Sequence, residues 1–516
     1  MVGSRVQNDM TWNGVAVIDF GGQYTQLIVR KVRELGVYSE MIAWNKAATW
    51  LTENRPEAVI LSGGPKSTLE ANAPTLDFSL IEGLPTLGIC YGQQLMAKFL
   101  GGEVQPARSK EYGLRSVRFE THGFLSNLAS NEVWMSHGDQ VTGVPPGFEI
   151  AASTDSCPIA AFSNESKKLF GLQFHPEVTH TRAGKEILRR FLFDYAQLKP
   201  NWTSENFIES EVNKIREEVG DRQVLCAVSG GVDSSVMAAL MIKAIGSQAI
   251  CVFVDTGLLR YREADDVIDT FDKHFHALLH AYDASEMFFD GLKGVTDPEQ
   301  KRKVIGAEFI RVFQANSQDW SNCEYLAQGT LYPDVIESGS ETASTIKSHH
   351  NVKGLPEWLN MRLIEPLKWL FKDEVRQVGR ILGLPDRMVD REPFPGPGLA
   401  IRIVGEVTRQ RVKMVQEADH IFRQELKLRG LHQDIWQSYA ALLDIRSVGV
   451  KGDERTYQHP IVLRAVQSED AMTANAALLP IQDLQEIATR IVNEVEDVNR
   501  VFYDLTSKPP STIELE

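Results

Sequence analysis

Val224-Leu225-Cys226-Ala227-Val228-Ser229-Gly230-Gly231-Val232-Asp233-Ser234-Ser235 is the stretch on which the fold turns. An apolar run of strand length gives way to small residues and then to a helical pattern rich in Met, Ala and Leu over 235–245. A second apolar run at 250–254 completes a strand-helix-strand unit, which predicts a mostly parallel sheet with ligands at the carboxyl ends of its strands. Toward the N-terminus the same grammar recurs. Residues 15–20 form an apolar run ending in Gly21-Gly22, a helical pattern passes through Leu27, Ile28 and Val32, and further runs lie at 58–61 and 85–89. Residues 199–205, with Pro200, follow a helical stretch at 187–198 and read as a linker. The Pro/Gly-rich stretch 393–398 breaks the pattern again. The expected fold class is α/β: two doubly wound, mostly parallel-sheet domains over 1–200 and 201–392, then a smaller α+β domain over 393–516.

A chain of 516 residues exceeds what one core supports, in keeping with about one domain per 150 residues. The net charge of −15 argues against a general nucleic-acid binder, which needs a basic face. Five scattered cysteines without a CxxC pair suggest neither a disulfide framework nor a zinc site. The first 12 residues lack the apolar core of a signal peptide, and no stretch is apolar for long enough to cross a bilayer. A cytoplasmic protein with no membrane partner is expected.

Leu87-Gly88-Ile89-Cys90-Tyr91-Gly92-Gln93-Gln94 sets a cysteine between two glycines at a strand-to-helix junction. That arrangement lifts a nucleophile onto a tight, exposed turn, and the helix N-terminus favours its thiolate. A lone cysteine there reads more simply as a small buried side chain. Gly171-Leu172-Gln173-Phe174-His175-Pro176-Glu177 reads as a strand whose period of two sends His175 and Glu177 to the same side. A base and its orienting carboxylate result. Alone they would be two surface residues at a strand end; together with the glycine-flanked cysteine they favour catalysis by Cys90, His175 and Glu177. These stretches and Leu61-Ser62-Gly63-Gly64-Pro65 resemble the class I glutamine amidotransferases over about the first 195 residues. The resemblance implies a glutamyl thioester on Cys90, backbone amides near Gly64 and Tyr91 holding the oxyanion, and Gln94 binding the substrate.

After the strand ending at Val228, small residues let backbone amides approach an anion at a helix's positive end, and Ser229, Ser234 and Ser235 add hydroxyl donors. The Gly-Lys-Ser/Thr ending of the Walker pattern is absent. The bare motif could equally be a Ser/Gly loop with Asp233 as a helix cap. It resembles the SGGxDS loop of the ATP pyrophosphatases, which adenylylate a substrate oxygen and release pyrophosphate. That likeness implies ATP contacts at Val228, Ser229, Gly230, Gly231, Val232, Asp233, Ser234 and Ser235, then at Val254, Asp255 and Leu258 off the next strand, and at Gly329.

Further along, Gln328-Gly329-Thr330-Leu331-Tyr332-Pro333-Asp334-Val335-Ile336-Glu337-Ser338, Ile346-Lys347-Ser348-His349-His350-Asn351 and Pro393-Phe394-Pro395-Gly396-Pro397-Gly398-Leu399-Ala400 extend the likeness. With Asn499-Arg500-Val501-Phe502-Tyr503-Asp504 and the ending Ser507-Lys508-Pro509-Pro510-Ser511-Thr512-Ile513-Glu514, essentially the whole chain resembles the glutamine-hydrolysing GMP synthetase family. The resemblance implies glutamine, ATP and XMP as substrates, with Mg2+ at Asp334 and Glu337 and Lys347 on a loop closing over ATP. XMP falls to Arg302, Gln437, Arg500, Lys508, Ile513 and Glu514, and a homodimer forms through the C-terminal domain. Read singly, Asp334 and Glu337 are the acidic first turn of a helix, Lys347 a solvated lysine, and Lys508 part of a frayed tail. Three positions depart from the family pattern: Lys353 for glycine, Glu392 for histidine and Leu515 for tryptophan. Competing readings are an NAD synthetase, which would lack the ending from Arg500 to Glu514, an idle nucleotide-binding regulator, which would not need Cys90, His175 and Glu177, and a tRNA-modifying adenylating enzyme, which the acidic balance disfavours.

Overall fold

The computed structural model describes residues 13–275, 279–338, 361–451, 453–468 and 473–516. Two compact units emerge, Met1–Phe207 and Ile208–Glu516.

The first unit contains β1 (Val15–Asp19), β2 (Ser39–Ala43), β3 (Ala58–Leu61), β4 (Thr86–Ile89), β5 (Glu103–Ser116), β6 (Arg118–Phe119), β7 (Glu132–Gly143), β8 (Glu149–Ser153), β9 (Ala161–Asn164) and β10 (Leu169–Leu172). Eight of them make one sheet in the order β2-β1-β3-β4-β10-β9-β8-β6. The pairs from β2 to β10 are parallel, and β9, β8 and β6 extend the sheet antiparallel. All four residues of β3 and of β4 are buried, which is why they read as unbroken apolar runs: helices cover both faces of a parallel sheet. β5 and β7 stand apart as a two-stranded ribbon whose register shifts between Pro106 and Glu111.

Residues 199–205 are not a loose linker at their start. The amides of Asn201 and Trp202 both donate to Gly36 O at 2.9 Å, and Asn201 Oδ1 accepts from Tyr38 N at 2.8 Å. Trp202 packs 5.0 Å from the Tyr38 ring, with the Arg33 guanidinium 4.9 Å above it. The expected helix at 187–198 is found as Gly184–Arg189 continuing into a π-helical segment, Arg190–Tyr195.

In the second unit β11 (Gln223–Val228), β12 (Ala249–Asp255), β13 (Leu279–Asp283), β14 (Cys323–Ala327) and β15 (Arg362–Ile364) form an all-parallel sheet in the order β13-β12-β11-β14-β15. The order reverses between β11 and β14, so the crevice at their carboxyl ends is where such a sheet takes a ligand. The expected helix at 235–245 begins three residues earlier, at Val232. A mixed sheet follows: β16 (Gln437–Leu442), β17 (Ser447–Lys451), β18 (Glu454–Gln467), β19 (Asn475–Ala476) and β20 (Val498–Tyr503). β16, β17 and β19 pair antiparallel with β18, and β20 runs parallel to it. Its core is continuous with that of the parallel sheet, since Val254, Leu258 and Phe288 belong to one cluster with Leu399, Phe422 and Leu463.

Candidate active sites

Cys90 sits between β4 and the helix Tyr91–Phe99 with φ 52° and ψ −106°, a strained backbone for a residue with a side chain. Close approach of chain elements imposes the turn. A Cβ on Gly92 would lie 2.3 Å from Leu61 O, and the Cys90 amide donates to Leu172 O at 2.7 Å. The turn is not exposed as expected. Cys90 is only 6% exposed, because β7 crosses it and Ser136 O accepts from the thiol at 3.5 Å.

His175 and Glu177 do meet, although not by the alternation of a strand. β10 ends at Leu172, and both residues lie in the turn beyond it. His175 N donates to Trp134 O at 3.0 Å, Thr181 Oγ1 donates to His175 O at 2.6 Å, and His175 Nδ1 donates to Glu177 Oε1 at 2.7 Å. Burial alone would disfavour the charged ring. The Glu177 carboxylate and the hydrogen bonds to Cys90 and Glu177 outweigh it, so the imidazole is held well above its usual range. Gly63 lies against the pair, where a Cβ would come 3.2 Å from His175 Cε1.

Gly64 and Tyr91, whose amides are expected at an oxyanion, flank the Cys90 turn. Gly64 is held between Phe20 O and the Tyr91 ring, which an added Cβ would approach at 3.1 and 3.2 Å. Tyr91 begins its helix, where backbone N–H groups lack intrahelical acceptors. Gln94 Nε2 donates to Asp139 O at 2.9 Å and to Gln173 Oε1 at 3.1 Å.

The 229–235 loop caps itself. Gly230 has φ +79°, Ser229 N donates to Ser234 Oγ at 3.1 Å, the two hydroxyls are 3.0 Å apart, and Ser234 Oγ donates to Gly231 O at 3.1 Å. Gly329, after β14, packs against the start of the helix Val232–Ile245: its Cβ would lie 3.1 Å from Asp233 C. Off β12, Gly257 N donates to Asp255 Oδ1 at 2.8 Å, and Leu399 N donates to Leu258 O at 2.8 Å. Burial, with Asp283 and Asp265 nearby, raises the Asp255 carboxyl against the lowering effect of the Gly257 N–H. Asp334 Oδ2 accepts from Leu331 N at 3.1 Å and so caps its own helix. The Glu337 side chain, Lys347 and Lys353 lie outside the described residues.

Near the chain's end, Gln437 Nε2 donates to Glu514 Oε1 at 2.6 Å, and Arg402 Nε and Nη2 grip the same carboxylate at 3.1 and 2.9 Å. Ile513 O accepts from Tyr439 OH at 2.8 Å and Arg464 Nε at 2.9 Å. Lys508 pairs through its backbone with Ala474. Arg302 donates to Glu299 Oε1 at 2.6 Å and Glu516 O at 3.0 Å. Arg500 is placed differently, on β20 with its Nε on Ser447 Oγ at 2.7 Å.

Residues 16–195 match the family described as Glutamine amidotransferase class-I, and residues 424–515 match GMP synthase C terminal domain. The glutamine-hydrolysing GMP synthase of Symbiobacterium thermophilum is 53% identical over 506 residues, 97% of this chain and 99% of that one. That of Bacillus cytotoxicus is 54% identical over 505 residues, with 97% and 99% covered. The chain belongs to the glutamine-hydrolysing GMP synthases. Among solved structures, a glutamine amidotransferase of Thermotoga maritima is 19% identical, with TM-score 0.28, covering 36% of this chain and 98% of that one.

Within this GMP synthase several side chains at the sites carry no motif of their own. Lys372 Nζ contacts Asp233 Oδ1 at 2.6 Å across 139 residues of sequence. Arg391 Nη1 donates to Gly230 O in the 229–235 loop. Arg464, 1% exposed, donates to Asp504, Thr506 O, Ser511 Oγ, Thr512 O and Ile513 O, and thereby shapes the segment carrying Lys508. Lys301 donates to Ala400 O, Ile403 O and Glu516 Oε2. A lone cation is the only sequence signal for any of them. Glu392, one of the departures from the family pattern, has found donors: Ser438 N at 2.8 Å and Ser438 Oγ at 3.0 Å.

Proposed function

We propose that this GMP synthase divides its reaction between two centres. At the first, the Cys90 thiol attacks the carboxamide of glutamine after giving its proton to His175. His175 then protonates the departing ammonia, and water releases glutamate from the thioester. Glu177 orients the imidazole and stabilises its charged form, the amides of Gly64 and Tyr91 receive the oxyanion, and Gln94 holds the substrate. The observation that carries this reading is the buried His175–Glu177 hydrogen bond beside a cysteine of strained backbone.

At the second centre the C2 oxygen of XMP attacks the α phosphorus of ATP, pyrophosphate leaves, and ammonia displaces AMP from C2 to give GMP. Residues Val228 to Ser235, with Val254, Asp255, Leu258 and Gly329, cradle ATP, and Lys372 adds a cation to the phosphates. The hard carboxylate oxygens of Asp334 and Glu337 would hold Mg2+, which would supply charge neutralisation at the phosphates; Asp334 has one oxygen engaged by Leu331 N. Lys347 closes over the reacting ATP. Arg302, Gln437, Arg500, Lys508, Ile513 and Glu514 take XMP. Its phosphate suits the cations, and Glu514, braced by Arg402, suits the ribose or base.

The exposed apolar side chains Val448, Val450, Tyr457 and Phe502 on β17, β18 and β20 support a homodimer through the C-terminal sheet. Five free, buried cysteines fit a cytoplasmic location, and no helix among the described residues is long and apolar enough to cross a membrane. GMP, AMP and pyrophosphate released in equal amounts from XMP, ATP and glutamine are the expected products. Absence of XMP turnover by folded protein with either glutamine or ammonium would overturn the reading.

A further inference from the structure

The β5–β7 ribbon buries a hydrogen-bonded glutamate and histidine that the chemistry above does not use. Glu111 is 2% exposed and His137 4% exposed. Glu111 Oε2 contacts His137 Nε2 at 3.2 Å, and Glu111 Oε1 accepts from Thr154 Oγ1 at 2.9 Å and Ser156 Oγ at 2.5 Å. On its other side the His137 ring meets Asp139 O at 2.9 Å through Nδ1. A carbonyl can only accept, so Nδ1 donates to Asp139 O, and the ring bridges the Glu111 carboxyl to its own backbone.

That backbone is the wall of the thiol site. Within β7, Trp134 O accepts from His175 N at 3.0 Å, Ser136 O accepts from Cys90 Sγ at 3.5 Å, and Asp139 O accepts from Gln94 Nε2 at 2.9 Å. Asp139 O therefore serves His137 and Gln94 together. The ribbon's register shifts between Pro106 and Glu111, just where regular pairing would otherwise hold β7 in place. Side chains replace the missing ladder there.

We infer that Glu111 and His137 are positioning residues of the glutaminase centre, fixing the main chain from Ser136 to Asp139 against Cys90 and Gln94 so that glutamine meets a preformed site. The inference rests on the reading of Cys90 as the glutaminase nucleophile. Cys157 joins Glu111 and His137 in a group whose ligand atoms lie within 4.8 Å of one another, the form of a metal site. Hydrogen bonding is the better account, since both Glu111 oxygens already have donors and burial, with Glu111 beside it, pushes the Cys157 thiol up to about 12.

Steady-state kinetics of the full-length protein test the inference, with glutamine and ammonium as alternative nitrogen donors and zinc measured in the same samples. Glu111→Ala is expected to raise KM for glutamine about tenfold or more, with a smaller loss in kcat, because misplacement by about 1 Å costs up to about a hundredfold. Glu111→Gln, which keeps an acceptor at the same place, is expected to recover most of that loss. Should Glu111→Ala fail to fold, Glu111→Gln against His137→Phe gives the same contrast. An unchanged KM for glutamine, equal losses with ammonium, or stoichiometric zinc that disappears in the variants would overturn it. Glutamine-dependent synthesis surviving in Cys90→Ala would instead sink the underlying reading while leaving the Glu111 contrast measurable.

Discussion

The two centres are built in opposite ways. Around Cys90 the groups are buried and already in mutual contact: the His175–Glu177 bond is 2.7 Å, and the nucleophile is 6% exposed on a strained turn. In the second unit some charged pairs stay open, although Arg391, against Gly230 O, is nearly buried with Glu263. The Lys372–Asp233 pair keeps 44% and 31% of its side-chain surfaces exposed, and the Arg302–Glu299 pair 22% and 63%. Open pairs of this kind contribute about 0–1 kcal/mol, so a nucleotide phosphate can exchange them at little cost. A small neutral substrate such as glutamine offers few charges to organise a site and needs one organised beforehand. Two nucleotides bring enough charge to organise theirs.

The largest expected effect tests the independence of the centres. Cys90→Ala should abolish glutamine-dependent GMP synthesis and leave ammonia-dependent synthesis largely intact in assays of GMP release. Equal loss with both donors would erase the contrast. Next, Glu177→Gln should lower glutamine-dependent kcat about 10³- to 10⁴-fold, as removal of an orienting carboxylate does. It should also diminish the His175 shift, because only Cys90 then opposes the effect of burial. In the native protein the raised imidazole contributes stability that is complete below its unfolded pKa of about 6.5 and lost as pH rises through the higher folded value. Glu177→Gln should show a smaller loss above about 6.5, which NMR titration of the ring together with denaturation at several pH values can follow.

Lys372→Met should lower synthesis about a hundredfold with either donor while leaving the alkylation rate of Cys90 unchanged. A slower alkylation would mean that the second centre shapes the first. The smallest effect is at Glu392. Glu392→Ala removes the acceptor for Ser438 N and Oγ and should cost about 1–3 kcal/mol, read as a lower denaturant midpoint.

Much of this was legible in the chain. Residues 58–61 and 85–89 read as strands because strands covered on both faces are continuously apolar, and the glycines around Cys90 announced the turn because little else fits against Leu61 O. The pairing of His175 with Glu177 was foreseen through strand alternation, yet a turn held by Trp134 O and Thr181 brings them together. Asp334, expected near phosphates, also caps its own helix, as an acidic residue in a first turn does. His137 shares the buried face of β7 with Val133 and Met135, but its partner Glu111 on β5 is set across a register shift that the sequence does not reveal.

By itself the sequence determined the elements and the two signature turns, because backbone sterics, glycine tolerance and apolar periodicity act over a few residues. Only the tertiary structure decided which distant cations complete each site: Lys372 for Asp233, Arg402 for Glu514, and Arg464 for the segment ending at Ile513. A buried or half-buried charge finds its partner through the topology that brings strand ends and helix starts together, and a lysine or arginine looks the same in sequence whether it faces water or a carboxylate.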